Sequence, residues 1–251
     1  MSISTKRSTV AVTSSWRSIV AVRLSGALLL LGLATALPAL PQGAASTAVP
    51  VEEAPYHVPA FRNELVTVLN VFIPPQRASG YHRHSLDSVG VLVSDTDRTG
   101  QVLGAEATVT ARRARGSANF TGYAREPLVH TVAVTGDAPF HNIVVELLYP
   151  EPGRFAAGTR GDGYTVILDN ERVRVWRLVL EPGQAAAAIT QGAPGLRVVI
   201  DGGEIVESVP GKPDRAKAPR SGEFFWQDGG VTRAVRNVGT SRIELVEIEL
   251  K

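Results

Sequence analysis

The chain aligns with itself. Sliding the sequence by 107 residues without gaps lays Asn63-Glu64 on Asn170-Glu171, Val66 on Val173, Val68 on Val175, Pro75 on Pro182, and Val91 and Val93 on Val198 and Ile200. Nearer the end of each half the offset becomes 103, placing Gly136 on Gly239, Glu146 on Glu249 and Leu147 on Leu250, so a four-residue length difference lies in the intervening loops. A run of matches at fixed offset marks two copies of one structural unit. The fold must therefore be one that can be built twice in about 190 residues.

The unit itself is all-β. Short β-branched runs alternate with Gly, Pro and Asp: Leu65 to Ile73, Val89 to Val93, Ala107 to Ala111, Ile143 to Leu148, Tyr164 to Leu168, Val173 to Leu180, Leu196 to Ile200 and Ile243 to Leu250. These have strand length and composition, and no helical periodicity competes with them. Many short strands with turns between them make a sandwich, barrel or jelly roll. The predicted organisation is a leader over 1–48, an extended Pro-rich arm over 49–59, a first repeat over 60–150, a connector over 151–163 and a second repeat over 164–251. The connector reading rests on the Gly, Pro and charged residues of Pro150 to Gly163.

All five histidines, His57, His82, His84, His130 and His141, fall in the first half. His82 and His84 are two apart, so on a strand both rings leave the same face and can converge on one ion. Asp87 follows three residues later. His130 lies in a second apolar run, LVHTVAV, which would have to pair beside the first to add a third imidazole. Under the two offsets His82 maps to Ile189, His84 to Gln191, Asp87 to Pro194 and His130 to Arg233, so all four candidate ligands are replaced together, as a shared site predicts. The chain has no cysteine. A metal must then be held by imidazole, carboxylate or water, which suits Fe(II), Mn(II), Zn, Ni or Cu without choosing among them.

With these residues the chain resembles the cupin family, and specifically bicupins with two conserved barrels in tandem. His82 and His84 match the paired histidines of the first family motif, Asp87 stands one residue short of its glutamate, and His130 matches the histidine of the second motif, with Val134 at its Asn position. In the second half Gly183, Gly222, Gly230 and Asn237 stand at motif positions, while Ile189, Gln191 and Arg233 replace the ligands and Asp228 replaces a proline. The resemblance spans about residues 60 to 250. It implies two small barrels, a divalent metal inside the first on His82, His84, His130 and Asp87, an apolar mouth admitting a small-molecule ligand, and pairing into a homodimer. Without Asp87, three histidines and water would leave an open, catalytic type of coordination.

Basic residues up to Arg23, the apolar stretch Leu24 to Leu37 and small residues around Ala45 and Ala48 have the order of a secretory signal, too short for a membrane span, with an uncleaved anchor as the alternative. An exported, periplasmic or extracellular protein is the expectation. Without its leader the chain has 22 basic against 24 acidic groups, which offers no footprint for nucleic acid or an anionic membrane. The basic run Arg112, Arg113, Arg115 reads as a solvated hairpin loop, His57 as a solvent-exposed arm residue, His141 as a rim histidine, and Trp176 and Trp226 as core anchors. Three functions remain open: an exported metal-dependent enzyme performing oxygenation, isomerisation or hydrolysis on a small organic molecule; a non-catalytic module binding metal or a small ligand; and a purely structural pair of barrels.

Overall fold

The computed structural model describes residues 48–251; the leader, but for Ala48, lies outside the described residues. The first half carries β1 (Val49–Pro50), β2 (His57–Arg62), β3 (Val66–Ile73), β4 (His82–His84), β5 (Ser88–Ser94), β6 (Arg98–Val102), β7 (Thr108–Val109), β8 (Ala118–Thr121), β9 (Leu128–Val134) and β10 (Phe140–Leu147). The second carries β11 (Tyr164–Asp169), β12 (Val173–Leu180), β13 (Ile189–Thr190), β14 (Gly195–Asp201), β15 (Ile205–Ser208), β16 (Arg215–Lys217), β17 (Phe224–Gln227), β18 (Thr232–Asn237) and β19 (Ile243–Leu250). Among the described residues the helical content is one 3-10 turn, Val51–Glu53, and no helix is long and apolar enough to cross a membrane.

Each half is a pair of sheets. The first half has the orders β1-β4-β9-β6-β7 and β2-β3-β10-β5-β8; the second has β13-β18-β15-β16 and β11-β12-β19-β14-β17. Strand for strand these are the same topology, with β1 an addition to the first. The register agrees as well. Val68 faces Val145 as Val175 faces Ile248, and His82 faces His130 as Ile189 faces Arg233. The equivalences read from the two sequence offsets are therefore equivalences in space.

Alternation along the strands decides which layer each residue enters. On β3, Val66 and Val68 join one apolar cluster while Leu69, Val71 and Ile73 join another. On β10, Ile143, Val145 and Leu147 face the first cluster and Asn142, Val144 and Glu146 the opposite side. The first cluster is common to both repeats, since Val173, Val175, Leu196, Val198, Val246, Ile248 and Leu250 complete it. The two five-stranded sheets built on β3 and β12 thus pack face to face, and each barrel keeps a smaller interior core of its own. With both faces covered, these strands read as near-continuous apolar runs rather than as alternating ones.

The contact between repeats uses equivalent places on each. Gly116, at φ 72°, lies against the Glu244 carboxylate, and Gly222, at φ 85°, lies against the His141 ring. Any Cβ there would fall 2.2 Å from Glu244 Oε1 or 2.3 Å from His141 Cε1. His141 is thus an interface residue, with its Nε2 2.8 Å from Asn70 Oδ1. The basic run is not wholly solvated either. Arg112 is exposed and paired with Asp97, but Arg115 donates to the carbonyls of Val93 and Ile200, which are equivalent positions of the two repeats, and pairs with Asp201.

Two segments between the repeats and before them are structural parts rather than spacers. The connector sends Arg160 into the second barrel, where its side chain is 1% exposed. The N-terminal arm adds β1 in parallel beside His82 and Arg83, buries Val51 in the first barrel's interior core, and turns at Tyr56, whose φ of 67° is unusual for a residue with a side chain.

Glu146 is buried inside the first barrel between Thr67 and Ser88. Burial, reinforced by Glu52 and opposed by Arg62, pushes its carboxyl up to about 7. A raised carboxylate pKa favours the folded state fully below the unfolded value and less as pH climbs to the folded one, so stability should fall between pH 4.5 and about 7. Glu146→Gln should flatten that fall and stabilise the protein at pH 8 by on the order of 2 kcal/mol. Chemical denaturation of both proteins at pH 5 and pH 8 checks this, and parallel pH profiles would contradict it.

Candidate metal centre

The pairing of β4 with β9 sets His82 opposite His130 and His84 opposite Leu128. His82 and His84 leave the same face of β4, and both are buried. With His130 they offer one ligand nitrogen each, all within 4.8 Å of one another. The ring centroids are 4.7 Å apart for His82 and His130, 5.0 Å for His82 and His84, and 5.1 Å for His84 and His130.

The protonation of these rings suits a metal. His82 Nδ1 lies 3.0 Å from the Gly80 carbonyl, which can only accept, so Nδ1 carries the proton and Nε2 keeps its lone pair. His84 Nδ1 and His130 Nε2 are buried with no hydrogen-bond partner, a cost of about 1–3 kcal/mol each that coordination of the rings would help offset. Burial lowers the pKa of every ring: His84 falls to about 3 and His130 to about 4, with the neighbouring imidazoles adding to the effect, and His82 is lowered despite its bond to Gly80. All three are neutral near pH 7, the form a cation requires.

A fourth imidazole stands beside them. His57, read from the sequence as exposed, is 7% exposed, and its ring centroid is 4.5 Å from that of His82. Its Nδ1 donates to the Pro55 carbonyl at 3.0 Å, leaving Nε2 unprotonated, and burial pulls its pKa down to about 4. Nothing in the PYHVP segment signalled this, because the ring is carried inward by the turn at Tyr56 and not by strand periodicity. Tyr123, in the loop after β8, stacks on His84 at 4.6 Å and 19°. That loop covers 122–127 in the first repeat and only 228–231 in the second, so part of the length difference between the repeats roofs this site.

Asp87 does not join the group. Its carboxylate accepts from the Ala124 N–H and lies 3.6 Å from Arg172 Nε, at the junction with the second repeat. The reason is parity: Ser88 and Gly90 line the histidine cavity, so Asp87, one residue earlier, belongs to the opposite face. Arg125 and Glu126 are exposed, and no ion pair joins them among the described residues.

The cavity at the histidines holds about 130 Å³. Its polar lining adds Asn119, Thr121 and Asn142, and its apolar walls are Val71, Ile73, Val132, Phe140 and Val144. Gly90 makes room: a Cβ there would stand 2.9 Å from the side chains of both Asn119 and Asn142. Gly90 is replaced by Arg197 in the second repeat, and there the corresponding space is filled by charge. Glu247 accepts from Arg197 at 2.8 Å, from Arg233 at 3.3 Å and from Arg160. Gln191, where His84 would be, accepts from Arg233 at 2.7 Å and from Arg160 at 3.1 Å, and Glu249 accepts from Arg160 at 2.9 Å. Trp176 is buried under Arg160, its ring centroid 4.1 Å from the guanidinium carbon, and Trp226 is half-buried, packed against the shared apolar cluster and lining a cavity as well.

No family model matches the chain. No curated protein matches its sequence. Solved structures do match its shape. AerE from Microcystis aeruginosa superposes with a TM-score of 0.55 at 10% identity, over 79% of this chain and 98% of that one. A variant of Bacillus subtilis oxalate decarboxylase gives 0.53 at 9% identity, over 74% and 69%. Salicylate 1,2-dioxygenase from Pseudoaminobacter salicylatoxidans, solved with gentisate, gives 0.50 at 13% identity, over 74% and 68%. These are cupin-fold proteins, and this chain has the same bicupin-like fold. At such identities the likeness is one of fold.

Removing Glu247 should be costly, because three arginines would be left buried without their shared partner. Glu247→Gln should lower stability by about 3–5 kcal/mol, read as a drop in Tm of about 10 °C or more. A loss under about 1 kcal/mol would mean that water already screens the network.

Proposed function

We propose that the first repeat holds a divalent transition ion on His82, His84 and His130, and that the chain is an exported metal-dependent enzyme acting on a small organic molecule. The observation that carries this reading is the convergence of three neutral imidazoles, two of them buried and the third half-buried, on a cavity lined also by a fourth. Imidazoles without thiolate suit Fe(II), Mn(II), Zn, Ni or Cu. Bound there, such an ion would supply Lewis-acid polarisation of an oxygen donor, a lowered pKa of coordinated water or, for iron, O₂ activation.

The chain's own residues supply the rest. With no carboxylate among the three ligands, the charge of a divalent ion stays uncompensated, which favours an anionic oxygen donor such as an enolate or carboxylate. His57 Nε2 is the one neutral ring nitrogen beside the triad that is free to take a proton from a bound molecule. Asn142 Oδ1, buried without a partner, is available to accept a hydrogen bond. Tyr123 covers the face of His84 and restricts water, and the aliphatic walls limit what enters to a small molecule or one end of a larger one. The fold neighbours include a dioxygenase and a decarboxylase, which agrees with small-molecule chemistry. A non-catalytic binding module is the second reading, favoured by the lack of any acidic side chain lining the cavity. The leader sequence supports export.

Protein purified from the exported fraction should carry close to one metal ion per chain by elemental analysis. His82→Ala and His130→Ala should each reduce that content at least about tenfold, since loss of one of three ligands removes a coordinate bond outright. His57→Ala should keep the metal and lose turnover, followed as O₂ consumption or product formation with a panel of small acids and phenols. Unchanged metal in His82→Ala would overturn the ligand set, and stoichiometric metal without turnover would favour the binding module.

A further inference from the structure

We propose that the second repeat, which has no metal ligands, binds a small aromatic carboxylate in the cavity at its mouth. This cavity, of about 630 Å³, is larger than the one at the histidines and within the usual range of small-molecule sites. Its cations are Lys212, Arg215, Lys217 and Arg233; its acids are Glu207 and Asp228. Both acids are already engaged. Glu207 accepts from Arg197 at 2.7 Å and from Lys217 at 3.1 Å, and Asp228 accepts from the Trp226 indole at 3.1 Å. Lys212 and Arg215 form no ion pair among the described residues. Arg233 is 3% exposed, and its Nε has no hydrogen-bond partner.

The charges beneath the opening sharpen the point. Arg160, Arg197 and Arg233 are matched by Glu207, Glu247 and Glu249, so Lys212, Arg215 and Lys217 exceed the remaining acid, Asp228, by two. Burial and the neighbouring Arg197 and Arg160 pull the Arg233 guanidinium down to about 9, the sign of a crowd of positive charge that an anion would relieve. The walls select the rest of the ligand. Phe224, Phe225 and Trp226 line the cavity with Phe61 of β2, and the Phe61 and Trp226 rings stack at 5.5 Å and 26°. Flat aromatic walls beside surplus guanidinium and ammonium groups fit a planar acid, whose carboxylate takes the charge-assisted bonds while its ring covers apolar surface.

The test is calorimetric titration of the full chain with benzoate, benzamide and inorganic phosphate. Benzoate should bind once per chain and at least about tenfold more tightly than benzamide, which has the ring but not the charge. The rim variant Lys212→Ala with Arg215→Ala should weaken benzoate at least about fivefold, and His82→Ala should leave it unchanged. Arg233→Met should abolish binding; should that variant fail to fold, the rim variant decides alone. Equal affinity for benzoate and benzamide, phosphate binding as tight as benzoate, indifference to the rim variant, or loss of benzoate in His82→Ala would each overturn the proposal, the last by placing the acid in the first barrel.

Discussion

Everything in the first barrel depends on one antiparallel contact, that of β4 with β9. It sets His82 directly across from His130, residues 48 positions apart in the chain. A register slip of one residue would turn either ring to the opposite face, and the three imidazoles would no longer converge. The pairing is held on both flanks, by β1 running parallel to β4 and by β6 pairing with β9. The arm before the barrel is therefore part of what keeps the site in register, and it also delivers His57 to the same cavity.

The two barrels show one topology carrying two opposite solutions to the problem of a polar interior. In the first, neutral rings crowd together with unsatisfied nitrogens, a state that makes sense as a ligand cage. In the second, Arg233 stands where His130 would, Gln191 where His84 would, and Arg197 where Gly90 leaves space; Arg233 donates to Gln191 and Glu247, and Arg197 donates to Glu247 and Glu207. The space that the histidines and Gly90 leave open in the first barrel is filled in the second by paired charge, which limits the cost of empty volume and of buried charge, with Arg233 Nε left without a partner.

The fold was legible because the repeat is written in strand residues: Val66, Val68 and Val91 and their counterparts carry both the periodicity and the register. His82 and His84 were legible for the same reason, since spacing of two on a strand means one face, while His130 joined them through the pairing of a second apolar run. What escaped lies where no period operates. His57 sits in a Pro-rich arm, Arg160 in a Gly-rich connector, and both are placed by turns and long-range contacts. Asp87 was close to the motif in number and wrong in parity, and parity is read only once the start of β5 is known. Tyr123 left a trace in the form of a longer loop, but a length difference does not say where a ring will point.

The apolar layer shared by the two halves has a consequence for how the molecule can be handled or divided. Because Val68, Val91 and Val145 find their cover in Val175, Val198 and Ile248, a protease nick in the connector would not release two free barrels. Each half would carry a greasy sheet whose best available lid is a copy of itself, so the pieces would stay clasped, swap into like-with-like pairs or precipitate.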